Sequence, residues 1–343
     1  MPAIRTRGLT KRYGAGDEAV VALEDLDLEV AEGEVFGFLG PNGAGKTTTI
    51  DLLLDFVRPT EGDATVLGYD TQPETDAVRD RVGVLPEGFD LWNRSSGRRH
   101  LEFAIESQDG DTEPETLLER VGLDRDAGRR PVGDYSKGMS QRLAMAMALS
   151  GDPDLLILDE PSGGLDPHGI RTMQEIVRGE ARRGTTVFFS SHILGQVAAV
   201  CDRVGILDDG ELVTVDSIEG LRETAGVGSR LVVEIASEPG ASVDELTAID
   251  GVTDVTRAED GLHVTYTDPR AKATVVHRLV ESDAAVLDFD IEEATLEDLF
   301  AAFTGSNADA GLEYETDARL EGEEDSGRSG DRPFGAGPEE VDR

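Results

Sequence analysis

The chain has 343 residues, more than one typical domain needs, and 38% of them are apolar, enough to bury at least one sizeable core and to exclude a wholly disordered polypeptide. Asp and Glu number 71 against 32 Lys and Arg, a formal charge of −39 that argues against general affinity for nucleic acid or anionic lipid; any phosphate chemistry must be local. Only Lys11, Lys46, Lys137 and Lys272 are lysines, and a carboxylate-rich surface so poor in ammonium groups reads as adaptation to a saline cytoplasm, where the Debye length falls to about 3 Å at 1 M salt.

The chain opens with MPAIRTRGLTKRY, which has no apolar signal core, and no window approaches the roughly 18 apolar residues of a spanning helix. Residues 1 to about 216 alternate short apolar strands with amphipathic helices, the pattern of an α/β domain of nucleotide-binding size. Val35–Leu39 reads as a strand that runs into GPNGAGKT, and TTIDLLLDFV as the helix that follows. This is GxxxxGK[ST] in its strand-to-helix setting. Gly40, Pro41, Asn42, Gly43, Ala44 and Gly45 turn backbone N–H groups toward phosphate oxygens, Lys46 adds a mobile cation and Thr47 offers a hydroxyl to Mg2+, with Thr48 beside it at the electropositive helix N-terminus.

Further on, YSKGMSQR (Tyr135–Arg142) precedes the helical run LAMAMALS. Small and polar residues at a helix start can present N–H groups and a hydroxyl to an anion, and alone they equally make an ordinary N-cap. In LLILDEPSGGLDP the strand Leu155–Leu158 ends at Asp159, which can hold a metal's water shell, and at Glu160, which can polarise an attacking water. His192 lies just past the strand Val187–Phe189, and the strand Val204–Leu207 ends at the turn Asp208-Asp209-Gly210. Cys201, the single cysteine, cannot form an internal disulfide; its apolar surroundings predict a buried small residue in a reducing compartment.

After a helix near Ser217–Thr224 the pattern changes. LVVEIA, VTDVTRA, LHVTYT and AVLDFDI read as strands and VDELTAI and AKATVVHRLVES as helices, in the order βαββαβ of a ferredoxin-like split βαβ unit. A last helix, Thr295–Phe303, closes it, with Leu296, Leu299, Phe300 and Phe303 expected to cover the small sheet. From Gly305 onward Gly, Ser, Asp and Glu dominate, and a disordered acidic tail is expected. The division is 1–224, 225–304 and 305–343.

In order and spacing these motifs resemble the ATP-binding subunit of an ABC transporter: phosphate loop, signature at Tyr135–Met139, metal strand with Glu160, the Gly164-Leu165-Asp166 loop and the switch histidine His192. The resemblance implies a P-loop ATPase domain with a helical signature subdomain, followed by a small α+β domain. It implies ATP and Mg2+ as cofactors, Tyr13 stacking on adenine, Ser136 and Gly138 meeting the γ-phosphate, and Thr47, Asp159 and Glu87 at the metal. Glu160 would be the general base, with Lys46 and His192 neutralising the γ-phosphate.

Two positions depart from the family pattern. Glu87 stands where a glutamine is usual, and YSKGM replaces LSGGQ; both are similar to the branch that exports drugs, lipids or polymers. The ending TLEDLFAAFTG resembles the daunorubicin-resistance type. Implied partners are an integral membrane permease on a separate chain, met through Phe89, Leu91 and Trp92, and a second ATP-binding subunit in a head-to-tail homodimer. No nucleic-acid partner is expected, and the location would be cytoplasmic, peripheral on the inner face of the membrane. A soluble ABC-type ATPase acting on DNA or ribosomes is disfavoured, because Lys46 and Ser136 leave no room between them for a coiled-coil insertion. Intact Glu160 and His192 disfavour a non-catalytic regulator.

Overall fold

The computed structural model describes residues 1–16, 19–225, 229–235, 243–258, 261–268, 270–282, 284–292 and 296–304, so the tail expected from Gly305 lies outside the described residues. In chain order the elements are β1 (Pro2–Tyr13), β2 (Val20–Leu26), β3 (Glu29–Ala31), β4 (Val35–Leu39), α1 (Lys46–Leu53), β5 (Glu61–Val66), β6 (Tyr69–Asp70), α2 (Thr75–Arg79) and β7 (Val82–Leu85). Four helices come next: α3 (Gly97–Ser107), α4 (Pro114–Arg120), α5 (Arg125–Arg129) and α6 (Lys137–Ala148). Then come β8 (Leu155–Asp159), α7 (Pro167–Arg183), β9 (Thr186–Ser191), α8 (Leu194–Ala198), β10 (Arg203–Asp208) and β11 (Glu211–Asp216). The chain continues through α9 (Ile218–Ala225), β12 (Ser229–Ile235), α10 (Val243–Thr247), β13 (Val252–Ala258), β14 (Gly261–Tyr266), α11 (Ala271–Glu281), β15 (Val286–Glu292) and α12 (Leu296–Thr304).

A six-stranded sheet in the order β11-β10-β4-β9-β8-β7 lies at the centre. Its strands β10, β4, β9, β8 and β7 pair in parallel. Parallel strands are covered on both faces, so they are apolar throughout rather than alternating. Along β4, Phe36 and Phe38 join one core with Phe188, Ile157, Ile50 of α1 and Ile4 and Leu9 of β1. Val35 and Leu39 point the other way, into a core with Leu158, Phe189, Val177, Leu143 and Leu101. An antiparallel sheet in the order β2-β1-β5-β6, with β3 paired to β1, covers the first of these cores.

α4 is fastened to α7 by a buried ion pair. Arg120 Nε donates to Glu180 Oε1 at 2.7 Å, its Nη2 bonds Glu180 Oε2, and Nη1 reaches Asp152 at 2.9 Å. Glu180 is 2% exposed, so the guanidinium is what makes a carboxylate tolerable there.

Three expectations need correction. The helix after the phosphate loop stops at Leu53 instead of continuing through Val57. Asp55 adopts the left-handed conformation (φ 52°), Phe56 N–H bonds Asp51 O at 2.8 Å and Asp55 N–H bonds Leu52 O at 3.3 Å; this closure ends the helix and leaves Phe56 exposed. α12 does not cover the small sheet: Leu299 is buried in the core that lines the central sheet, with Phe300 and Phe303 packed against it beside α8, α9 and β11. The small sheet is thereby left uncovered along β15, where Leu287, Phe289 and Ile291 are exposed although Phe289 and Ile291 pair with the core residues Val233 and Leu231. Cys201 is half-buried as a residue, but its thiol turns beneath Gly37 and burial pushes its pKa upward.

A four-stranded antiparallel sheet in the order β13-β14-β12-β15 carries its own core, with Leu231, Val233, Val264 and Tyr266 facing Leu246 of α10 and Val275 and Leu279 of α11. None of the helices among the described residues is long and apolar enough to cross a membrane.

Candidate functional site

Strand register assembles the site. In the parallel pairing of β4 with β9, Leu39 lies opposite Ser191, and in that of β8 with β9, Asp159 lies opposite Ser190. The strand ends carrying Gly40, Glu160 and His192 therefore meet at one carboxyl edge of the sheet, where open α/β sheets form their crevices.

The phosphate loop is built on glycines that no other residue could replace at two points. Gly45 has φ 107°, and a Cβ there would lie 2.5 Å from Ala22 O; a Cβ on Gly40 would lie 2.4 Å from Leu207 O. Lys46, only 6% exposed, donates to Gly40 O at 2.7 Å and Pro41 O at 3.2 Å. It opens α1, whose first turn holds no acidic residue, so the positive end of the helix is left for an anion. A cavity of about 320 Å³ lies over this loop, lined by Ala22, Asn42, Gly43, Gly45, Lys46, Thr47, Thr48, Glu87 and Glu160.

Two buried carboxylates lie at this edge, Glu160 in the cavity wall and Asp159 behind Thr47. Thr47 Oγ1 donates to Asp159 Oδ2 at 3.1 Å, and Ser190 Oγ donates to Asp159 Oδ1. Asp51, one turn along α1 from Thr47, has its pKa pushed above the usual carboxylate range, by burial first and by Asp159 second. Glu160 Oε1 lies 3.4 Å from Lys46 Nζ, and Oε2 lies 2.9 Å from His192 Nδ1 and accepts from Ser191 Oγ at 3.4 Å. Glu160 Oε1 and His192 Nδ1 are nevertheless buried without an aligned hydrogen-bond partner. These contacts are close but misaligned for hydrogen bonds, so the carboxylate and imidazole keep capacity for a further polar group.

A phosphate chain and its divalent ion fit these groups. The hydroxyl of Thr47 and the carboxylates of Asp159 and Glu87 are hard oxygen donors of the kind Mg2+ takes. Among the described residues no three His, Cys, Asp or Glu side chains gather into a self-sufficient metal cage.

Not every expected residue reaches the cavity within one chain. Ser136 caps α6, its hydroxyl accepting from Met139 N at 3.3 Å, and neither it nor Gly138 lines the cavity. Tyr13 is 41% exposed, with Lys11 Nζ 4.9 Å from its ring centroid, and it too lies off the cavity wall. Phe89 and Leu91 are half-buried against the core that lines the central sheet, while Trp92 is 52% exposed, so the apolar trio expected at the permease contact divides. Sequence reasoning missed Ser190 and Ser191. Their signal was two hydroxyls at a strand end directly before His192, where side chains must point at whatever the neighbouring strand presents.

The family described as "ABC transporter" matches residues 23–163. The chain is 36% identical over 312 residues to a daunorubicin resistance ATP-binding protein of Streptomyces coeruleorubidus, covering 89% of this chain and 96% of the relative. It is 35% identical over 303 residues to a fluoroquinolones export ATP-binding protein of Mycobacterium tuberculosis, covering 88% and 93%. Among solved structures, a dimeric ATP-binding cassette in a post-hydrolysis state bound to ADP and Pi shares the fold at TM-score 0.57 and 23% identity, over 63% of this chain and 98% of the other. A parallel sheet with a phosphate loop and an acidic strand end at its carboxyl edge defines a P-loop nucleotide hydrolase. The chain belongs to the ATP-binding proteins of the ABC transporter family, which hydrolyse ATP with Mg2+.

Proposed function

We propose that this chain is the ATP-hydrolysing subunit of an exporter whose permease is a separate membrane protein, and that the exported substrate is a drug, lipid or polymer. The observation that carries the reading is that Lys46, Thr47 and Glu160 line one cavity, with Asp159 hydrogen-bonded to Thr47 behind it. The named functions of the relatives, resistance to daunorubicin and export of fluoroquinolones, support the choice of export.

In this reading Lys46 leaves Gly40 O and Pro41 O to contact the β- and γ-phosphates, and the N–H groups of Gly43–Thr48 cradle them. Thr47, Asp159 and Glu87 are the residues that would hold Mg2+, which would supply charge neutralisation for the phosphates. Glu160 accepts a proton from the attacking water, and His192 orients the γ-phosphate beside it. Ser136 and Gly138 complete the site from a second copy of the chain, since they lie outside the cavity of their own. Tyr13 stacks on the adenine.

The permease has a ready place to dock. Phe56, Trp92 and Phe103 are exposed, the Trp92 and Phe103 rings lie 5.1 Å apart, and a cavity of about 330 Å³ beside Phe103 is lined by Leu54, Phe56, Val82, Val84 and Met147. β7 leads from this groove to Glu87, so a cytoplasmic helix seated in it would sense the phosphate site. Co-purification of the chain from its own membranes tests the proposal. An integral membrane protein should come with it, and Trp92→Ala should reduce that capture several-fold while ATP binding stays parental; equal loss of both would return Trp92 to a packing role. The small β13-β14-β12-β15 sheet with α10 and α11 we read as a ferredoxin-like accessory domain.

The excess of carboxylates we read as salt adaptation. Their mutual repulsion is long-ranged in dilute buffer, where the Debye length is about 30 Å at 0.01 M, and screened in molar KCl. The melting temperature should rise by several degrees between the two, and an unchanged value would contradict the halophilic reading.

A further inference from the structure

One buried polar side chain beside the site has no part in the reaction just described. Gln141, in the second turn of α6, is 5% exposed, and its Nε2 donates a 2.7 Å hydrogen bond to the carbonyl oxygen of Pro161. Pro161 directly follows Glu160, whose φ of 47° lies in the left-handed region that is costly for a residue with a Cβ. On its other side the same turn is held by Glu160 N–H, which donates to Ser190 O at 3.1 Å. One helical turn before Gln141, Lys137 reaches along the same face of α6: a Cβ on Gly164 would lie 2.0 Å from its Nζ, and one on Gly138 would lie 3.8 Å from Leu165 Cδ2. The first two turns of α6 thus run along the loop 161–165.

We propose that Gln141 is a positioning residue for Glu160. Its amide fixes the Pro161 carbonyl and with it the left-handed backbone that aims the Glu160 carboxylate at Lys46 and the cavity. α6 begins with Lys137 and Gly138 next to the Ser136 cap, so a displacement of that helix start is passed to Glu160 through the Gln141 amide. This rests on the reading of Glu160 as the base. A carboxylate displaced by about 1 Å can lose on the order of 10²-fold in rate while binding is unaffected.

The test is a double-mutant cycle on the full chain in molar KCl, read by steady-state and single-turnover phosphate release. Gln141→Met fills the same space without a donor. It should lower kcat about 10- to 100-fold with the KM for ATP within about twofold of the parent. In the Glu160→Gln background the same change should add less than about a twofold loss, because Gln141 acts through the carboxylate. Equal losses in both backgrounds, or a raised KM with kcat unchanged, would overturn the proposal. A parental kcat for Glu160→Gln alone would remove both readings, whereas an active Gln141→Met beside an inactive Glu160→Gln would remove only the positioning role. If Gln141→Met melts before assay, Gln141→Asn keeps an amide too short to reach Pro161 and is held to the same outcomes.

Discussion

Glu160→Gln should lower ATP turnover by about 10²- to 10⁴-fold and leave Mg-ATP bound. Phosphoryl transfer to water asks the protein for positioning and charge neutralisation, and the one covalent service is removal of a proton from the attacking water. Glu160 is placed for that service: it is 8% exposed, faces the cavity and carries a buried oxygen with no aligned hydrogen-bond partner. Glutamine keeps the size and the left-handed turn but has no basicity, and it removes the charge that lies 3.4 Å from Lys46 Nζ. Binding of the triphosphate is therefore spared while the chemical step is not. Phosphate release and nucleotide binding measured on the same preparation check this; parental turnover would reject Glu160 as the base.

Lys46→Ala should fail at the earlier step. Its ammonium is held at the mouth of the loop by two backbone carbonyls, Gly40 O at 2.7 Å and Pro41 O at 3.2 Å, contacts that are easily exchanged for phosphate oxygens. A hydrogen bond to a charged group contributes about 1.5–3 kcal/mol, and the lysine can make two, so Mg-ATP affinity should fall by about 100-fold or more. Removal of the cation also leaves Glu160, a carboxylate 3.4 Å from the lost Nζ, to repel the γ-phosphate. Titration calorimetry of the parent and the variant with Mg-ATP measures the loss, and unchanged affinity would show that the backbone N–H groups alone hold the phosphates.

Residues that act through local pattern were the most legible in the sequence. Gly40–Thr47 is a contiguous motif whose chemistry is set by its own backbone, and Leu155–Glu160 is an apolar strand followed by two acids; both lie in the elements expected of them. What depended on tertiary company was hidden. The end of α1 at Leu53 follows from the left-handed Asp55, a conformation that an apolar helical pattern does not announce. The side taken by Leu299, Phe300 and Phe303 was undecided by periodicity, because an amphipathic helix says only that it needs a core. Ser190, Ser191 and Gln141 are polar residues whose partners are brought to them by strand register and helix packing, from positions 20 or more residues away. Phe89, Leu91 and Trp92 form one apolar cluster in the sequence, and the turn through them half-buries two and exposes the third.

In the proposed function a second copy of the chain completes the site, with ATP held between Lys46 of one subunit and Ser136 of the other. Sedimentation of the Glu160→Gln chain in molar KCl, with Mg-ATP and with Mg-ADP, tests this most directly. A dimer should accumulate with ATP and not with ADP, and it should be lost when Ser136→Arg is added to the same chain. A Glu160→Gln chain that binds ATP yet sediments identically with either nucleotide would contradict it.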